Sequence, residues 1–292
     1  MELAKAYLAL TKPGIIRGNL LTAAAGFLLA ASISDSFAWS KDVSVFIYML
    51  VGTSLIIACG CVINNVLDRG IDAKMQRTKN RALVTGTIQP LNAYLFAAIL
   101  GILGSTLLIL YVNTTTALLG LFGLFFYAVV YTYFKRTTVH GTLIGSISGS
   151  VPPVAGYTAL TNSLDTTAYI LFAILVCWQM PHFYAIAMYR SKEYANAGIP
   201  VLPVKKSMRT AKIEILVYIS GFIIAASLLT LTGITGYIYL AVMTIVGFYW
   251  LLLGIKGFRR RDDEKWGKSM FLFSLLVILI TSLMIAVGAL LP

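Results

Sequence analysis

Long apolar runs, broken at short intervals by polar clusters, occupy nearly the whole chain. Nine of them can be drawn, at about 12–32, 43–67, 91–112, 116–134, 141–160, 167–189, 212–232, 235–256 and 269–290. Each holds roughly 20 residues, enough to cross a hydrocarbon layer as an α-helix. The pattern predicts an all-α integral membrane protein, a nine-transmembrane-helix bundle forming a single domain over 1–292. The spans after which the long polar loops occur are the second and the sixth. They share an orientation and lie four helices apart. That spacing predicts two four-helix pseudo-repeats, about 12–134 and 141–256, followed by a ninth helix.

Composition narrows the class further. Hydrophobic residues make up 59% of the 292 and charged ones 12%, with a mean hydropathy of +0.85. A soluble domain carries about a quarter charged residues. The first apolar run has Lys12, Pro13 and Arg17 at its start and no convincing cleavage site, so it is read as a helix rather than a leader. The net charge of +12 points towards nucleic acid until its distribution is considered. Of 23 basic residues, only Lys41 falls in a connection on one side; the N-terminal segment and the 2–3, 4–5, 6–7 and 8–9 loops hold the others. This one-sidedness encodes topology: N-terminus cytoplasmic, C-terminus outside, in a cell membrane.

Cys59, Cys61 and Cys177 lie inside apolar spans and read as packing residues. On a helix Cys59 and Cys61 point about 200° apart, which excludes a metal pair. Pro152, Pro153 and Pro181 predict bends in spans five and six, where neighbours or a cavity satisfy the freed backbone. Gly141, Gly145, Gly149 and Gly156 permit close helix approach in span five.

The candidate chemistry begins where span two meets the cytoplasmic surface. Asn64, Asp68 and Asp72 recur every fourth residue, so on a helix they share one face. The two aspartates would have Cα atoms about 6 Å apart, close enough for one metal or a pair. Mg²⁺ takes one or two carboxylates and fills its remaining positions with water and phosphate oxygens. Asn64 and Asn65 supply neutral oxygens or donate to phosphate. Carboxylates at a helix C-terminus oppose the macrodipole, and ionisable groups at membrane depth are costly, so solvated exit residues are the weaker reading. Arg77, Lys79 and Arg81 follow at once and could neutralise a leaving diphosphate, or simply mark topology.

A second inner cluster, Arg190, Lys192, Glu193 and Tyr194, ends span six with a single carboxylate. Glu193 either completes a metal site or pairs with a neighbouring cation. His182 sits in Trp178-Gln179-Met180-Pro181-His182, just after a bend; it reads as a packing residue, a ligand or a base. Trp178, Phe183 and Tyr184 are candidates to line a substrate space beside it. No zinc spacing, Ser/His/Asp set or Walker loop occurs.

Asn64-Asn65-x-x-Asp68-x-x-x-Asp72 resembles the first aspartate-rich motif of the UbiA-type intramembrane prenyltransferases. Thr11–Gly14, Arg77–Arg81, Gly141–Tyr157, Trp178–His182 and Gly198–Val204 extend the resemblance over the first seven helices. Within that superfamily the Trp178–His182 and Ile199–Pro203 segments are similar to the branch that farnesylates protohaem. The resemblance implies helices around a central cavity open to the cytoplasmic side. It implies farnesyl diphosphate bound through Mg²⁺ at Asn64, Asp68 and Asp72, with protohaem IX as acceptor and a haem A synthase as a partner. Many members carry a second aspartate-rich motif after helix six; here only Glu193 stands there, with Arg190 and Lys192 beside it. Two other readings are a prenyltransferase for an aromatic quinone precursor and a secondary transporter. The transporter is disfavoured because the polar residues gather at one membrane face rather than the midplane.

Overall fold

Prolines and polar caps set where the helices begin. A computed structural model describes residues 2–292, and every regular element among them is helical. A short helix α1 (Glu2–Leu10) precedes α2 (Pro13–Ser32), which starts on proline. The 29-residue α3 (Trp39–Leu67) is followed by a single turn, α4 (Arg69–Asp72), and α5 (Pro90–Tyr111) again opens on proline. Asn113 caps α6 (Thr114–Phe125) by accepting from the Thr116 N–H at 2.8 Å. That span continues as π-helix over Phe126–Tyr131 and then as α7 (Thr132–Thr137). The fifth span holds α8 (Gly141–Gly149) and α9 (Val151–Thr161). Asp165 caps α10 (Thr166–Tyr189), and α11 (Ser191–Asn196) and α12 (Leu202–Lys205) are short turns in the loop beyond it. Ser207 caps α13 (Met208–Leu231); α14 (Tyr237–Lys256) follows, and Asp262 caps α15 (Asp263–Val287). These capping side chains satisfy N–H groups that the first helical turn leaves without partners.

Among the described residues, eight helices are long and apolar enough to cross a membrane. Of the nine predicted spans, the fifth is the exception. Instead of one bent helix, residues 141–161 form two half-helices that meet at Ser150. Pro152 and Pro153 have no N–H, and their rings crowd the carbonyls of the preceding turn. Two such residues in succession interrupt the ladder, whereas the single Pro181 lies inside a continuous α10.

The two halves differ in burial. Every residue from Val151 to Ala159 is buried, while α8 is mostly half-buried. Helix α9 lies against α2, α3, α6 and α10, and α15 closes the circle of helices by packing against α2. The α2–α9 approach requires glycine on both sides. A Cβ at Gly156 would lie 1.8 Å from the Ala23 carbonyl oxygen, and one at Gly26 would lie 2.0 Å from that of Pro153. The largest apolar core joins α10, α13, α14 and α15 around Ile174, Phe222, Tyr239 and Trp250. Leu91, Leu95 and Ile102 of α5 and Ile245, Phe248 and Leu252 of α14 are exposed, as a lipid-facing surface demands.

Candidate active site

Helix α3 ends at the residues singled out by spacing. Its ladder stops at Leu67, so Asp68 caps it and Asp72 belongs to the separate turn α4. The i→i+4 bonds persist across the break: Asp68 N–H donates to Asn64 O at 2.9 Å, and Asp72 N–H to Asp68 O at 2.8 Å. The three polar residues therefore still rise on successive turns. Asn64, Asp68 and Asp72 are all buried.

Each carboxylate meets cations. Asp72 Oδ2 pairs with Arg81 Nη1 at 2.6 Å, across a loop that Thr78 folds back by donating to Asp72 O. Asp68 is bracketed from another span: Lys135 pairs with its Oδ2, and Arg136 Nη2 with its Oδ1 at 3.1 Å. Both cations come from α7, directly after the π-helical segment. Tyr127 and Tyr131 of that segment stack at 5.7 Å, and the Lys135 ammonium lies 5.1 Å from the Tyr131 ring centre. Asn64 Oδ1 accepts from Lys12 Nζ at 2.8 Å and its Nδ2 donates to Thr132 Oγ1 at 3.3 Å. Lys12 has a left-handed φ of 52°, a conformation that side-chain-bearing residues adopt chiefly at constrained sites. Burial pushes its ammonium down to about 8.

The remaining predicted residues divide. Arg77 and Lys79 are exposed on the 2–3 loop. Burial pushes the phenol of Tyr194, on α11, up, and the positive charges of Arg77 and Arg190 oppose that shift. Arg190 pairs with Glu193 at 3.4 Å. The structure thus brings Arg190, Glu193 and Tyr194 together, within electrostatic reach of Arg77. Lys192 turns away: it is exposed and meets Glu264 of α15 at 2.8 Å. Asn65 also differs from expectation. Its amide donates to Leu10 O at 2.8 Å and Cys61 O at 3.0 Å, tying α1 to α3. Tyr184 is buried beside Tyr218 of α13, about 200° around α10 from His182, and Phe183 is exposed. Trp178 stacks on His182 at 4.8 Å, and both reach α15.

Lys12, Lys135 and Arg136 read from sequence only as topology cations. One signal could have found Lys135: Tyr127, Tyr131 and Lys135 form a polar stripe at four-residue spacing within an apolar span.

The donor set suits a hard divalent ion held mainly through its ligand. Among the described residues no three His, Cys, Asp or Glu side chains gather closely enough to enclose a metal. Two buried carboxylates and an amide, ringed by cations, instead match Mg²⁺ bound jointly by protein and phosphate oxygens.

The chain belongs to the UbiA prenyltransferase family, whose profile matches residues 19–276. Curated relatives include the protoheme IX farnesyltransferases of Salmonella typhimurium and Escherichia coli O1:K1 / APEC, each 48% identical over 289 residues, spanning 99% of this chain and 96% of theirs. That of Edwardsiella ictaluri is 48% identical over 284 residues, covering 97% of this chain and 94% of its own. Two solved structures share the fold. A digeranylgeranylglyceryl phosphate synthase matches with a TM-score of 0.76 at 22% identity, over 99% of both chains. A UbiA homolog from Archaeoglobus fulgidus bound to GPP and Mg²⁺ matches with a TM-score of 0.73 at 17% identity, over 96% of this chain and 99% of that one.

Proposed function

We infer that this protein transfers the farnesyl group of farnesyl diphosphate to a vinyl group of protohaem IX, with addition of water, giving haem O and diphosphate. The observation that carries this reading is 48% identity over 99% of the chain to proteins named for that reaction. The site supplies suitable chemistry: buried carboxylates, a ring of cations and an apolar interior.

In this reading Asp68 and Asp72 hold Mg²⁺, with Asn64 beside them. When bound, the ion would act as a Lewis acid that offsets the charge growing on the leaving group. Lys135, Arg136 and Arg81 then exchange their carboxylate partners for phosphate oxygens, and Arg77, Lys79 and Arg190 approach from the two inner loops. These cations stabilise diphosphate as its bond to C1 of the farnesyl group breaks. In this reading the half-buried α8 lines a central cavity open to the cytoplasmic side. Its apolar walls exclude bulk water and hold the allylic cation against the vinyl group. The vinyl terminus forms the new carbon–carbon bond; water adds at the carbon beside the ring and loses a proton.

The whole chain acts as one intramembrane domain of two four-helix pseudo-repeats and a ninth helix. It lies in the cell membrane with its N-terminus cytoplasmic and passes haem O to a haem A synthase. Purified protein incubated with labelled farnesyl diphosphate and either protohaem or hydroxybenzoate tests the acceptor. Label is expected in the haem fraction alone; label in hydroxybenzoate alone would overturn the reading.

A further inference from the structure

We propose that Ser274 is a positioning residue that sets the tautomer of His182, so that His182 Nε2 ligates the iron of the porphyrin acceptor. The proposal rests on the haem-farnesylating reading above. Ser274 is fully buried on α15. Its hydroxyl lies 2.6 Å from the Phe271 carbonyl oxygen, which can only accept. The single hydroxyl proton is thereby committed. Towards His182 Nδ1, 2.7 Å away, the same oxygen can only accept. His182 therefore carries its proton on Nδ1 and presents a lone pair at Nε2.

The surroundings hold the ring without using that lone pair. Trp178 stacks on the imidazole at an interplanar angle of 26°, and its own Nε1–H is fixed by donating to Ser274 O at 2.8 Å. Phe271 packs at 5.1 Å from another side. Nε2 makes no hydrogen bond among the described residues, and it is not one of the sealed polar atoms that lack a partner. An imidazole that binds a metal commonly gives its other N–H to a fixed acceptor, which orients the ring and raises its basicity. Iron porphyrins are held by histidine in this way.

The test uses the full-length protein in detergent, titrated with protohaem and followed by absorption spectroscopy. Product formation is measured by mass spectrometry on the same samples. Wild type should give an imidazole-ligated haem spectrum, and His182→Ala should lose it. Ser274→Ala should weaken haem binding and raise KM for protohaem by roughly 10- to 100-fold. KM for farnesyl diphosphate should hold within about twofold, and Ser274→Thr should restore haem binding. A Ser274→Ala variant that titrates like wild type would overturn the proposal. So would a Ser274→Thr variant as impaired as the alanine one, or a haem spectrum unchanged in His182→Ala. The two readings fail separately. An imidazole spectrum that depends on Ser274, without farnesylated product, supports the haem site and removes the function. Normal product with a Ser274-independent spectrum does the reverse.

Discussion

Asp68 retains 8% of its surface and sits between Lys135 and Arg136, contributed from 67 and 68 residues along the chain. A carboxylate so enclosed is either a structural ion pair or a ligand waiting for an exchange of partners. The exchange reading makes a sharp contrast among lysines. Lys135→Ala should lower turnover on the order of 100-fold, because its ammonium is partly buried against the site. Lys192→Ala should leave turnover within about twofold, because an exposed pair such as Lys192–Glu264 contributes little. Initial rates of purified, folded variants check both. The same contrast marks what spacing can reveal. Asn64, Asp68 and Asp72 were legible because four-residue spacing is a local property of the helix. Lys135 and Arg136 were not, because only tertiary packing brings α7 to the end of α3. Asn65 sat inside the legible motif yet serves as a tie to Leu10 and Cys61. Asn65→Ala should cost about 1–3 kcal/mol by removing the donor to buried carbonyls. Thermal unfolding in detergent measures that loss.

At the scale of elements, the fifth span separates scaffold from site. Its α9 half is wedged between α2, α3, α6 and α10, and its α8 half packs against α7, which carries Lys135 and Arg136. Gly156→Ala should therefore destabilise the protein by about 1–3 kcal/mol or prevent folding, since the new Cβ meets backbone that cannot yield locally. Gly14→Ala, with nothing within 4 Å of its Cβ, should be neutral. Denaturation midpoints and monodispersity on size exclusion compare them. Proline content predicted bends in spans five and six, but not that their outcomes would differ. Pro181 stays within α10, whereas Pro152 and Pro153 divide α8 from α9. The π-helical stretch ahead of Lys135 had no signal in hydrophobic periodicity. Its apolar residues fit a regular helix equally well.

Over the whole molecule, basic residues fall in alternate connections of the sequence, and the carboxylate site belongs to that set. That asymmetry was readable from sequence, because short loops carry it directly. The closure of the circle, with α15 against α2, was not, because nothing local connects the last span to the first. The proposed orientation predicts labelling by a membrane-impermeant thiol reagent on intact cells. Ser163→Cys should react from outside and Asn80→Cys only after lysis; the reverse pattern would invert the topology.

The central claim joins the Asp68–Asp72 site to farnesyl transfer through Mg²⁺. Its most direct test is the mass of the haem product made by purified protein from protohaem and farnesyl diphosphate. The reaction is run with Mg²⁺ and with chelator, for wild type and for Asp68→Asn. The account predicts the hydroxyethylfarnesyl haem only from wild type with Mg²⁺, although the variant inserts normally. The same product from chelated wild type, or from Asp68→Asn at the wild-type rate, would contradict it.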